Sequence, residues 1–247
     1  MAMSPRLLRP RAAGGFSNPT SISGLSLWLD SDTATMGNTS SGTGGASNNG
    51  PVKYWGDKRG TAGLAFTNSG ADSVCPTLIV SGTNSRPHLS FDAGDLLSLS
   101  AFDSKAAATY FIAGRINGAS QAFLQVGAIN SHHSILTQSA NIITRRTGAG
   151  GTDASAAANF AVFGIYTAEF NNALSRLRYN GTQAAEATGS TSLTDSSRVF
   201  TLGALNTTTF LMVGFIAEVI VYNGNLSASQ RAAVEAYLGK KYNVTVA

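Results

Sequence analysis

From Ile22 onward the apolar residues come in short runs broken by Gly, Ser, Thr and Asn, a rhythm that predicts strands and turns rather than helices. Residues 22–30 read as a first strand, with Leu25, Leu27 and Leu29 on one face and Trp28 on the other. A long polar loop over 31–51 precedes a short strand at 52–55 and a turn at 56–60. Further short strands fall at 77–80, 89–92 and 96–100, the last two flanking the Gly94-Asp95 turn. Residues 108–116 and 122–129 form longer apolar strands, 134–145 holds two short ones, and 148–159 is a loop of small residues. The run 160–170 is a largely buried strand. Residues 175–179 alternate, with Leu177 and Tyr179 inward and Arg176 and Arg178 outward, and Asn180-Gly181 then supplies a two-residue hairpin turn. Strands at 198–202 and 215–222 complete the sheets.

Only the last segment carries a helical period. Ser227 and Gln230 have the spacing of a capping box, in which each side chain satisfies the other residue's backbone N–H. Val234, Leu238 and Tyr242 follow at four-residue steps as a buried stripe. Lys240 and Lys241 stand in the last turn, where the helix dipole favours cations. This helix is expected to seal one end of the domain.

Residues 1–20 have no period, and Pro5 and Pro10 exclude a helix interior, so they read as an extended arm in front of a single domain at 21–247. The composition supports one large strand-rich domain: 12% of the 247 residues are charged, 43% are hydrophobic and 27 are Gly. The net charge of +4 argues little for nucleic acid, because Arg6, Arg9 and Arg11 carry three of those charges in the arm and leave +1 for the body. Cys75 is the sole cysteine, which excludes an internal disulfide framework. No run reaches the roughly 20 apolar residues that cross a bilayer, and Arg9-Pro10 interrupts any signal-peptide core, so the expectation is folding in a cytoplasm without membrane insertion.

The segments Leu25-Ser-Leu-Trp-Leu-Asp30, Val52-Lys-Tyr-Trp-Gly-Asp-Lys-Arg-Gly60, Leu89-Ser-Phe-Asp92 with Gly94-Asp-Leu-Leu97, Arg178-Tyr-Asn-Gly181, and the 215–223 strand with its helix occur in an order that resembles the concanavalin A-like lectin/glucanase superfamily in its laminin-G-like form. The resemblance spans residues 22–244. It implies an all-β jelly-roll sandwich of two antiparallel sheets, with the N-terminal arm and short C-terminal helix as additions. The opening Met-Ser-Pro-Arg-Leu-Leu-Arg-Pro-Arg, joined directly to such a domain, looks like the short structural proteins of tailed bacteriophages. The resulting expectation is a non-enzymatic virion protein of capsid-decoration or head-fibre type, made in the host cytoplasm. Arg6, Leu7, Leu8, Arg9 and Arg11 would bind the capsid or another virion protein, and the chain would form homo-oligomers, trimers among them. The alternative is a carbohydrate-binding adsorption module of a tail fibre or spike, and a third reading is a glycoside hydrolase. The superfamily shares no single function, so the fold does not choose between these.

A hydrolase needs two carboxylates across the scissile bond. The glucanase branch carries Glu-x-Asp-x-x-Glu on one strand, a spacing that none of Glu169, Glu186, Glu218 and Glu235 meets. Glu218 is the best lone candidate, and the resemblance implies a structural role at its position, paired with a base or with backbone donors; no catalytic residue is assigned. No cofactor or metal site is assigned either, although Asp30 and Asp32 could share a strand face and hold calcium with loop carbonyls. The other reading of that pair is a strand-end turn with Asx capping. His132 and His133 read as solvated loop residues. Trp28, Tyr54 and Trp55 could stack on sugars, but large aromatics in strands more often pack in the core. A cell-surface glycan, if bound, is expected on the loops, with Arg145, Arg146 and Asp153 as polar handles.

Overall fold

The computed structural model describes residues 18–32, 35–128, 131–147, 153–157, 161–171, 174–188, 194–206 and 208–247, without the side chains of 131, 146 and 147. The arm residues Arg6, Leu7, Leu8, Arg9 and Arg11 lie outside this description. In chain order the strands are β1 (Leu25–Asp30), β2 (Met36–Gly37), β3 (Tyr54–Gly56), β4 (Ala65–Thr67), β5 (Thr77–Ile79), β6 (His88–Phe91), β7 (Leu97–Ser104) and β8 (Ala107–Ile116). They continue with β9 (Gln121–Ala128), β10 (Ser131–Gln138), β11 (Asn141–Thr147), β12 (Ala154–Ala157), β13 (Gly164–Asn171), β14 (Leu174–Tyr179), β15 (Thr182–Thr188), β16 (Ser196–Leu202) and β17 (Gly214–Asn223). One α-helix, α1 (Ala228–Tyr242), ends the fold.

The strands form two antiparallel sheets, one ordered β15-β14-β13-β8-β17-β6-β5 with β1 also on β17, the other β12-β11-β10-β9-β16-β7-β4-β3-β2. Their inner faces make the main core, where Leu27, Tyr110 and Ile216 of the first sheet meet Leu97, Leu124 and Phe200 of the second. This is the all-β jelly-roll sandwich. β17 is the hub of the first sheet rather than a closing edge. It pairs along its length with β8, through Gly214–Ile216 with β6, and through Glu218–Tyr222 with β1.

Helix α1 does not seal an end as expected. It lies on the outer face of the first sheet, where Val234, Leu238 and Tyr242 bury a second core against Trp28, Phe111 and Ile220. Two apolar faces on one sheet explain why β8 and β17 are apolar at nearly every position. Ser227 Oγ accepts from Gln230 N at 3.2 Å and Gln230 Oε1 from Ser227 N at 2.9 Å, so the capping box forms as its spacing predicts. The Asn180-Gly181 turn takes positive φ at both residues, the condition for a hairpin whose twist matches its strands.

Three local expectations need correction. β12 lies within the predicted 148–159 loop, and the two-residue β2 within the predicted 31–51 loop. Leu25 leaves the face of Leu27 and Leu29 because β1 shifts register between Leu25 and Leu27, and it packs with the helix-side core instead.

Candidate functional site

All four glutamates carry an ion pair: Glu169 with Arg231 at 2.8 Å, Glu186 with Arg176 at 2.6 Å, Glu218 with Lys241 at 2.8 Å and Glu235 with Arg178 at 3.1 Å. Glu218 also accepts from Trp28 Nε1 at 2.7 Å, Tyr237 OH at 3.0 Å and Tyr242 OH at 2.9 Å. A second carboxylate, which strand spacing alone does not reveal, stands directly across from it, because β1–β17 register pairs Asp30 with Glu218. Lys241 Nζ bridges the two, at 2.6 Å from Asp30, while Lys58 Nζ reaches Asp30 at 2.5 Å. Burial raises the Asp30 carboxyl, but Lys241 and Lys58 outweigh it and hold the group below its ordinary value. Burial and the Asp30 charge push Glu218 the other way, above its ordinary value. Both carboxylates are fully buried, so this balanced cluster fastens α1 to the sheet and is closed to substrate.

The remaining expected residues fall as follows. Asp32 N donates to Asp30 Oδ1 at 2.9 Å, the Asx turn at a strand end, and Asp32 pairs with Arg86 at 2.9 Å. The Asp30 side expected to face calcium therefore holds two ammonium groups. His132 and His133 are not loop residues: they lie on β10 and are buried, His133 stacked on Phe170 at 3.9 Å between ring centroids. Trp28 and Trp55 are core, and Tyr54 is half-buried. Arg145 Nε and Nη2 grip the Asp153 carboxylate at 2.8–3.1 Å, and Nη2 also donates to Gln138 at 2.7 Å. That pair braces β11 against the start of β12, so its polar groups are occupied; the Arg146 side chain lies outside the description.

A different constellation stands open. Ser90, Phe215 and Arg115 are cross-strand neighbours on β6, β17 and β8, while Leu89 and Ile216 between them turn into the core. Strand alternation puts His88, two residues before Ser90, on the same outer face. The result is a cleft of about 660 Å³ walled by His88, Ser90, Asp92, Arg115, Asn117 and Phe215. It adjoins a second hollow of about 460 Å³ that shares Arg115 and Phe215 and runs to Phe163 and Asn243.

Inside the cleft His88 stacks on Phe215 at 4.2 Å between ring centroids, and the Arg115 guanidinium lies 4.8 Å from the centre of the same Phe215 ring. His88 is 8% exposed, and its Nδ1 is buried without a hydrogen-bond partner; Arg115 Nε is likewise buried and unpartnered. Burial, reinforced by the Arg115 charge, pushes the His88 imidazole down to about 4. It is therefore neutral at pH 7, with one donor and one acceptor nitrogen. Gly82 makes the close packing feasible, because a Cβ there would stand 2.0 Å from His88 Nδ1. Sequence reasoning passed over these residues. The available signals were a histidine opening an apolar alternation and an arginine interrupting the apolar run of β8, but nothing local joins positions 88, 115 and 215.

No protein-family model matches the chain, and no curated protein does. Among solved structures, the chain is similar to domain 4 of AbnA, a GH43 extracellular arabinanase from Geobacillus stearothermophilus in complex with arabinotriose. That likeness has a TM-score of 0.60 at 14% identity, over 83% of this chain and 95% of that one. NanB with Optactamide gives 0.50 at 17% identity, over 58% of this chain and 26% of that one. The native heptameric SAP-like pentraxin of Limulus polyphemus gives 0.50 at 10% identity, over 59% and 80%. Identities this low speak to the fold alone, and the fold they share is the all-β jelly-roll sandwich described above.

Proposed function

We propose that this chain is a non-catalytic, lectin-like domain that binds carbohydrate and is displayed on a bacteriophage particle through residues 1–20. The observation that carries the carbohydrate reading is the near end-to-end overlap with AbnA domain 4, whose structure holds arabinotriose. The open cleft on the first sheet offers what such binding uses: a rigid wall with a few convergent hydroxyl, amide and charged groups beside aromatic surface. Binding without cleavage is favoured because every glutamate is held in an ion pair and Glu218 and Asp30 are sealed from solvent.

The particle role rests on the arm. Arg6, Arg9 and Arg11 around Leu7 and Leu8, punctuated by Pro5 and Pro10, suit a segment that orders only on docking to a capsid or neighbouring subunit. Oligomers of the displayed domain would multiply weak glycan contacts into useful avidity.

A glycan array spanning bacterial surface polysaccharides and plant oligosaccharides, read with the full chain, tests the central claim. Binding to a defined subset with no release of reducing ends is expected. Silence across the array would overturn carbohydrate recognition, and release of reducing ends that Glu218→Gln removes would overturn the non-catalytic assignment.

A further inference from the structure

We infer that the cleft formed by His88, Arg115 and Phe215 recognises a carboxylate-bearing sugar, a uronic acid or its chemical equivalent; this deepens the carbohydrate reading above and rests on it. The first observation is the state of Arg115. Most of the described acidic and basic side chains of this domain are in ion pairs, yet Arg115 makes neither an ion pair nor a hydrogen bond, and its Nε is buried. A guanidinium held over the Phe215 ring keeps its planar fork fixed and free, the form suited to two parallel bonds to one carboxylate.

The second observation is independent. His88 is more than nine-tenths buried, lines the same cleft, and leaves Nδ1 without a partner. Buried polar atoms without partners cost stability, and two of them in the walls of one open cleft are the observation that points to a ligand here. The cleft also separates its charges. Asp92 lines it too and forms no ion pair with Arg115; its carboxylate accepts from Ala93 N at 2.6 Å. A ligand with a carboxylate at one end and hydroxyl donors at the other matches that division: Arg115 takes the carboxylate, while Asp92, Asn117, Ser90 and the neutral imidazole of His88 exchange hydrogen bonds with hydroxyls. A neutral sugar would leave the guanidinium unanswered.

Isothermal titration of the full chain with trigalacturonate, arabinotriose, and acetate or inorganic phosphate tests this. Trigalacturonate should bind most tightly, and Arg115→Met should weaken it by about tenfold or more, as expected for loss of a bidentate charged contact, with Arg115→Lys falling between. Thermal melts confirm that each variant folds, and Asn117→Ala at the exposed rim provides a second probe that leaves Arg115 in place. Arabinotriose binding as tightly as trigalacturonate, unmoved by Arg115→Met, would overturn the acidic-sugar assignment while leaving carbohydrate recognition standing. Acetate or phosphate binding through Arg115 with no saccharide bound would overturn the sugar identity and, with a silent array, the carbohydrate reading as well.

Discussion

At the scale of single residues, His88 concentrates the physical cost of the open cleft. An imidazole that is 8% exposed and faces the Arg115 cation resists protonation, and its folded value near 4 lies below the usual 6.5. The unfolded chain therefore binds the proton first. Stability from the neutral ring is complete above pH 6.5 and declines as pH falls toward 4, by about 3 kcal/mol at most by linkage. Differential scanning of the parent and His88→Leu between pH 7 and 4 checks this. The parent should lose melting temperature faster, since the variant lacks that proton uptake, and parallel curves would remove His88 as the source. The other two histidines, His132 and His133 on β10 of the second sheet, are common to both proteins, so the difference isolates position 88. Glu218 was legible as structural through the resemblance, and its pairing with Lys241 is what a buried acid inside an apolar strand requires. It could not expose the cleft, whose members come from three strands and meet only through register.

Elements show a similar division. The capping box, the Val234–Leu238–Tyr242 stripe and the Asn180-Gly181 turn are local, and each forms where its residues predict. An amphipathic stripe states that a helix has a buried face, but not which surface receives it. Placing α1 on the outer face of the first sheet needed β17 to sit between β8, β6 and β1, a long-range arrangement. Small-residue strands such as β12 escape a hydrophobic reading because Ala and Ser carry little periodic contrast. Three helix residues then fasten α1 through ion pairs: Arg231 to Glu169, Glu235 to Arg178, and Lys241 to both Glu218 and Asp30. The last is the costly one to break. Lys241→Met would leave two adjacent buried carboxylates with Lys58 alone as cation, and should destabilise the domain by about 3–5 kcal/mol. In a domain this size that corresponds to a fall in Tm of about 6–20 °C. A shift below about 2 °C would mean the cluster contributes nothing net.

For the whole molecule, the question is whether the arm belongs to the fold or only to its attachment. The sandwich core and the helix-side core are built from residues 22–242. The described chain is already anchored at its start: Asn18 Oδ1 accepts from Thr20 N at 3.0 Å, Tyr222 OH donates to Pro19 O at 2.8 Å, and Ile22 packs with the helix-side core. Residues 18–22 are thus held to the sheet and the helix-side core. Residues 1–17 carry basic and apolar groups punctuated by proline, the composition on which the proposed attachment rests. Removing residues 2–15 should leave Tm within about 2 °C of the parent, because none of the core residues is touched. The same deletion should abolish incorporation into particles when the variant is supplied to phage assembly. The two readouts separate the claims. A large fall in Tm would make the arm part of the folded domain, whereas normal incorporation would refute attachment through the arm and return the chain to a carbohydrate-binding domain with no demonstrated place on a virion.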